Sequence, residues 1–131
     1  MNYRLTTSEK TKDRLLKIKG STNITPNILC RFGIAFSLKN PEPLDATEVT
    51  TKSKGLELNR NVLTGRYDAL YKALVSQKER RHLSDDEYFE KYLPAHIERG
   101  VAELYAEFEM AGNTEKFIKR ITEYGYGRDL A

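Results

Sequence analysis

The 131-residue chain has one cysteine and two histidines, which leaves little material for several kinds of chemistry. A single thiol, Cys30, excludes an intrachain disulfide and any multi-cysteine metal site. No run of about eighteen apolar residues occurs, and the polar start Met1-Asn2-Tyr3-Arg4 lacks the core of a secretory signal, so no membrane span and a cytoplasmic protein are expected. A glycine-rich phosphate loop is missing too. Cys30 stands among apolar residues with no histidine near it in sequence and reads as a structural thiol. His82 follows the basic run Lys78-Glu79-Arg80-Arg81 and reads as a solvated helix end. His96, with Glu98 beside it, offers too few donors for a metal. Asp45 and Glu57-Leu58-Asn59 have a loosely nuclease-like spacing, without the lysine such a motif needs. The expectation is a protein with no catalytic residue, no metal and no cofactor.

Charge, by contrast, is present and unevenly spread. Residues 1–39 hold eight Lys/Arg against Glu9 and Asp13, a surplus of +6, while the remainder holds 14 basic residues against 17 acidic ones. A basic module on a mildly acidic body suits one face for a polyanion and another for protein.

The basic module has legible local structure. Residues 2–6 alternate polar and apolar with the period of a strand. Thr6 precedes Glu9 at the spacing of a capping box, Leu15 and Ile18 give an apolar stripe, and Gly20 is expected to close the helix. Thr25-Pro26 starts a second helix to about Leu38, with Thr25 as N-cap and Pro26 where a missing N–H costs nothing. Ile28, Leu29, Cys30, Phe32, Ile34, Ala35, Phe36 and Leu38 point nearly all round that helix, so it must be covered on all sides by the C-terminal helices or by partner chains. Gly33 inside it makes sense where another backbone crosses. Oligomerisation through Ile28, Phe32, Gly33 and Phe36 is therefore expected.

Beyond Pro41 and Pro43 a long connection leads to helices that begin near Asn61, at the capping box Ser84–Glu87, and after Gly112, the last with Thr114 as its cap. Leu63, Tyr67, Leu70, Tyr71 and Leu74 follow the helical period, and Pro94 should kink or divide the helix carrying Ile97, Val101, Leu104 and Phe108. The expected fold is mainly α, with a short N-terminal strand plus two helices resembling ribbon-helix-helix proteins and a C-terminal helical extension. Residues 1–40 would be the DNA-binding and oligomerisation module, and residues 41–131 a helical extension packed on it. The DNA contacts would be Lys10, Arg14 and Lys17 as one stripe, Lys19 with the Gly20 turn, the donors around Thr25 and Asn27, and Arg4 on the strand.

Longer strings carry a family resemblance. Thr25-Pro26-Asn27-Ile28-Leu29-Cys30-Arg31-Phe32-Gly33, followed by Ser37-Leu38, is similar to the core of the DndE family of DNA sulfur modification proteins. Gly55-x-Glu57-x-Asn59-Arg60, Leu63-x-Gly65-x-Tyr67-Asp68-Ala69-Leu70 and Ala95-His96-x-x-Arg99-Gly100-Val101 continue it in order, over roughly residues 4–105. The resemblance implies a bacterial pathway that replaces a non-bridging phosphate oxygen of DNA with sulfur. Sulfur transfer and ATP-linked chemistry would belong to partner proteins. It further implies a homotetramer that prefers nicked duplex DNA through lysines, with Lys17 and Lys19 the nearest candidates here. Two other readings compete: a ribbon-helix-helix repressor or antitoxin that reads an operator through Asn2, Arg4 and Thr6, and a scaffold that holds enzymes and touches DNA weakly.

Overall fold

A computed structural model of the protein describes residues 3–46 and 54–123. Asn2, the connection around residue 50 and the Gly/Tyr tail lie outside the described residues. In chain order the elements are β1 (Arg4–Thr6), α1 (Glu9–Thr22), α2 (Pro26–Lys39), β2 (Glu57–Asn59), α3 (Arg60–Leu63), a 3-10 turn at Gly65–Tyr67, α4 (Asp68–Glu79), α5 (Asp85–Glu87), a π-helical turn at Tyr88–Tyr92, α6 (Leu93–Ala111) and α7 (Thr114–Glu123). The architecture is mainly helical, as expected, with one strand more than the sequence suggested.

That second strand changes the meaning of the first. β1 and β2 form an antiparallel pair with Arg4 opposite Asn59, Leu5 opposite Leu58 and Thr6 opposite Glu57. Leu5 and Leu58 point to the core, and both are buried. The ribbon-helix-helix likeness predicts pairing across chains; here the strand has its partner within the chain. Gly55 makes the close entry to β2 workable, because a Cβ there would sit 1.5 Å from the Thr7 carbonyl oxygen. Glu57-Leu58-Asn59 is thus a strand, and Asn59 is also the N-cap of α3, its side chain accepting from the Asn61 N–H.

α1 starts and ends elsewhere than expected. Its N-cap is Ser8, whose side chain accepts from Thr11 N–H, so Thr6 belongs to the strand and makes no capping box with Glu9. The helix continues through Gly20 to Thr22, and Asn23 closes it in the left-handed region at φ 62°. Asparagine tolerates that region better than most residues, which let the glycine signal mislead.

α2 packs chiefly along α6, and the two meet at a pair of glycines. A Cβ on Gly100 would lie 1.6 Å from the Gly33 carbonyl oxygen, and one on Gly33 would lie 3.1 Å from the Val101 nitrogen. The backbone crossing foreseen at Gly33 exists, but the crossing backbone is the chain's own. Leu29, Cys30, Ile34 and Phe36 are buried around it with Ile97, Val101 and Leu104. Gly33 and Phe36 are therefore interior residues of the monomer, and the expectation that they meet a partner chain is corrected. Ile28, at 40 % exposure, and the half-buried Phe32 stay on the outer face.

The helix foreseen from Asn61 is interrupted. Gly65 at φ 54° turns the chain after α3; Tyr67 in that turn and Leu70 and Leu74 of α4 then face outward while Val75 is buried. The capping box at Ser84–Glu87 is present in both directions. Pro94 does divide its helix: it has no N–H for the Glu90 carbonyl, and the π-helical turn immediately before α6 absorbs the mismatch. Gly112 ends α6 at φ 81°, and Asn113, rather than Thr114, caps α7 by accepting from Lys116 N–H.

The glycine crossing is testable. Gly100→Ala drives a methyl group into backbone that has no flexible end to yield, so the helices must separate. We expect a loss of about 3 kcal/mol or more, larger than that for Gly33→Ala, in urea denaturation followed by circular dichroism.

Candidate nucleic-acid interface

The sequence-derived DNA residues do not share one face of α1. At about 100° per residue, Lys10, Arg14 and Lys17 share an arc of about 60° on α1. Lys10 and Lys17 are exposed and Arg14 is half-buried. Lys17 Nζ lies 5.9 Å from the centroid of the Tyr105 ring, which holds the ammonium at the α1–α6 edge. Because the helix does not stop at Gly20, Lys19 lies about 200° from Lys17 and shares the opposite flank with Lys12. Thr11, Leu15 and Ile18 are buried between the two flanks. α1 therefore displays cations along both sides of its buried face.

The remaining candidates are less available. Arg4 Nη1 pairs with Glu57 across the ribbon at 3.0 Å. Gly20 is exposed and has open space where a Cβ would stand, so it serves neither a turn nor a close approach. Thr25 is the N-cap of α2 but its side chain makes no capping bond, and Pro26 occupies the first turn as foreseen. Asn27 is half-buried, and its Oδ1 lacks a hydrogen-bond partner.

Several family-string residues turn inward instead and hold the scaffold under this surface. Glu98 reaches from α6 to the start of α1, accepting from Ser8 N–H at 3.1 Å, Ser8 Oγ at 2.5 Å and Thr11 Oγ1 at 2.8 Å. A carboxylate at a helix N-terminus satisfies free N–H groups and meets the positive end of the dipole. Sequence reading missed this role; the Ser8-x-x-Thr11 spacing signals a capped helix, but nothing local signals a cap from ninety residues away.

Arg60 is the second internal centre. Its guanidinium donates to both oxygens of Asp85, at 3.0 and 2.7 Å, and to Asp68 at 2.7 Å, while the Phe89 ring centroid lies 4.4 Å away. Arg60's hydrogen bonds hold Asp85 below the usual carboxylate range. Burial pushes Asp68 up, but hydrogen bonds from Arg60, Thr64 and Tyr88 outweigh it and leave the group lowered. Arginine suits this place because its planar fork meets two carboxylates at once.

The third centre joins α2 to α6. Arg99 Nε donates to Ser37 Oγ at 2.8 Å and Arg99 Nη2 to the Ser37 carbonyl at 2.6 Å, near the end of α2. Ser37 Oγ, which accepts from Arg99, also shares a hydrogen bond of 2.7 Å with His96 Nδ1. A serine beside a histidine resembles a nucleophile and its base, yet both residues are fully buried and the serine oxygen is engaged by a cation. Burial also pushes the Cys30 thiol up to about 12, with Glu98 adding to the shift, so it stays protonated at neutral pH. His82 is exposed, as expected. Among the described residues no group of three metal-ligating side chains comes together.

These features define a class: a small helical protein whose buried polar groups tie helices together and whose cations line one external helix. The chain belongs to the DndE family, described as DNA sulphur modification protein DndE, whose model matches residues 4–112. The resemblance carried by the string from Thr25 to Gly33 is thereby borne out. A crystal structure of DndE from Escherichia coli B7A, involved in DNA phosphorothioation modification, is similar at 26 % identity, covering 78 % of this chain and 97 % of that one with a TM-score of 0.63. A glycine-to-lysine double mutant of DndE, involved in DNA phosphorothioation, is similar at 25 % identity, with 79 % and 97 % covered and a TM-score of 0.62. No curated protein matches the chain. No described helix is long and apolar enough to cross a membrane.

The Ser37–His96–Arg99 centre predicts a pH response. Burial first, then Arg99 and Lys78, lowers His96 from its ordinary 6.5 to about 4. Between those values the unfolded chain binds a proton that the folded chain refuses, so stability falls as pH drops through this window. The total is about 3 kcal/mol, at 1.36 kcal/mol per pKa unit. Urea denaturation at pH 7, 5.5 and 4.5 should show the decline, and His96→Gln should flatten it. The carboxylates held low by Arg60 lose their contribution only at more acidic pH, so the two effects separate.

Proposed function

We propose that this chain is a non-catalytic, DNA-binding component of a DNA phosphorothioation system, gripping the phosphate backbone as an oligomer beside sulfur-transfer partner proteins. The observation that carries the reading is the cationic arc of the exposed Lys10 and Lys17 with the half-buried Arg14 on a member of the DndE family. Lysines that meet phosphate act as point charges and do not read base edges, so binding would be independent of sequence. A nick removes bending stiffness, and a rigid basic face gains more contacts from a duplex that folds onto it cheaply. The buried, protonated Cys30 and the engaged Ser37 support a role without covalent chemistry, which leaves sulfur transfer to the partners.

The operator-reading alternative is weaker. It needs β1 free to pair with a second chain and Arg4 free to read bases, whereas β1 lies against β2 and Arg4 against Glu57.

Oligomerisation has a more suitable surface than the one first expected. α4 exposes Leu70 at 56 % and Leu74 at 39 %, Tyr67 before it is 53 % exposed, and α2 adds Ile28 at 40 %. Between them runs a groove of about 400 Å³ lined by Ile34, Ala35, Leu38, Tyr71 and the α4 leucines. Contiguous exposed apolar surface of this kind marks an interface. A homotetramer would repeat the α1 arc on each chain and raise the affinity of modest contacts.

Two measurements test the proposal. Lys10→Glu with Arg14→Glu should weaken nicked and intact duplexes of any sequence, and lower the slope of log affinity against log salt by roughly 0.9 per lost contact. Unchanged affinity would remove this arc from the interface. Leu70→Lys should dissociate the oligomer in sedimentation velocity while leaving a folded monomer, since Leu70 is exposed in the single chain. Phe36→Lys should unfold the chain instead, because Phe36 lies in its core. A parent protein that sediments as a monomer would sink the oligomer.

A further inference from the structure

α1 carries the cationic arc, yet little apolar surface holds it. Thr11, Leu15 and Ile18 are its buried residues, and Thr11 is itself polar. Leu15 and Ile18 seat the middle of the helix on the core. Two aliphatic side chains less than one turn apart leave an outer helix able to pivot and its ends able to fray, so order at the ends must come from elsewhere.

Both ends are tied by polar side chains from distant parts of the chain. At the start, Thr7 N–H donates to the Leu56 carbonyl at 2.9 Å, and Thr7 Oγ1 accepts from Leu56 N–H at 2.9 Å, which fixes the junction before α1 to the entry of β2. Glu98 of α6 then takes Ser8 N–H and the hydroxyls of both Ser8 and Thr11. Ser8 Oγ in turn accepts from Thr11 N–H at 3.1 Å, so the first turn is closed by a ring of bonds that passes through one carboxylate. At the far end Thr114, in the first turn of α7, donates from Oγ1 to the Ser21 carbonyl at 2.9 Å. α7 is itself anchored: Phe117 and Ile121 are buried, and the Phe117 ring meets Phe108 of α6 edge-on at 5.4 Å. Lys10 stands between Ser8 and Thr11 in the turn that Glu98 closes, and Arg14 follows one turn later. A lysine on a frayed turn has no fixed place on the arc.

We infer that Glu98 is a positioning residue for the DNA face: by closing the first turn of α1 against α6 it presents Lys10 and Arg14 in register with Lys17, without meeting DNA itself. This role rests on the DNA-binding reading above, and it opposes the effect of charge. A carboxylate near a polyanion repels it, so removing Glu98 strengthens binding if charge decides and weakens it if order decides.

The test uses the full chain and a fluorescein-labelled nicked duplex, titrated by anisotropy at several salt concentrations, with amide hydrogen exchange on the free protein. Ser8→Ala removes two bonds of the ring and leaves the charge unchanged, whereas Glu98→Ala removes the carboxylate. Both should speed exchange at Thr11 and Lys12 while amides in the middle of α6 stay protected. Both should lower affinity, Glu98→Ala by roughly 3- to 10-fold, as for a competent first turn present in about a tenth to a third of the molecules. The salt slope should stay that of the parent, because the same phosphates are met once the turn closes on DNA; loss of a contact lysine lowers the slope instead. Ser8→Thr, which keeps a hydroxyl at the cap, should restore binding. If exchange speeds up but affinity falls in neither variant, the order of this turn does not matter to binding and the positioning role is overturned, while weakening by Lys10→Glu with Arg14→Glu keeps the DNA reading. If Glu98→Ala does not fold, Ser8→Ala decides alone. If the parent binds neither nicked nor intact duplex, both fall.

Discussion

The rest of the structure depends on the contact of Gly33 with Gly100. Two backbones can approach this closely only where neither has a side chain, and a Cβ on Gly100 would lie 1.6 Å from the opposing carbonyl oxygen. That approach lets α2 and α6 share their longest contact, and the aliphatic residues around it form the middle of the core. α6 is then placed to reach everything else: Glu98 caps α1, Arg99 holds the end of α2, and Phe108 seats α7. The cost of glycine inside two helices, about 1 kcal/mol each, is offset by the packing that a larger residue would forbid.

Three long-range polar ties translate this crossing into a rigid display of charge. Glu98, Arg99 and Arg60 each satisfy groups from a different segment, and each is itself satisfied. Such residues look functional in a sequence, because they are polar and sit in specific strings. Here they work through others: Glu98 fixes the direction of α1, and so the arc on which Lys10, Arg14 and Lys17 stand. Arg60 locks the turn from β2 to α4 against the π-helical segment. A cationic surface that meets a stiff polyanion gains from such rigidity, since side-chain ordering at an interface is an entropic loss.

The inversion of α4 is the other consequence of packing. Its apolar stripe is regular, yet the break at Thr64-Gly65 rotates the helix so that Leu70 and Leu74 face outward and only Val75 enters the core. Periodicity measures how apolar one side of a helix is and carries no sign telling whether that side faces its own core or another molecule. The same ambiguity affected α2, whose all-round apolar surface is divided between α6 and the outer groove.

The sequence by itself determined the helical class, the proline-marked start of α2, the capping box at Ser84–Glu87, the division at Pro94, the stop at Gly112 and membership of the family, because each depends on a few adjacent residues. It also pointed correctly to a backbone crossing at Gly33. Only the tertiary structure decided that this crossing lies within one chain, that β1 has its partner at Glu57–Asn59, that Lys17 and Lys19 point to opposite flanks, and that Thr114 at the start of α7 is tied to the end of α1. Those facts depend on which distant surfaces meet, and a three-residue strand or a one-residue change in where a helix ends leaves almost no local trace while turning side chains through large angles.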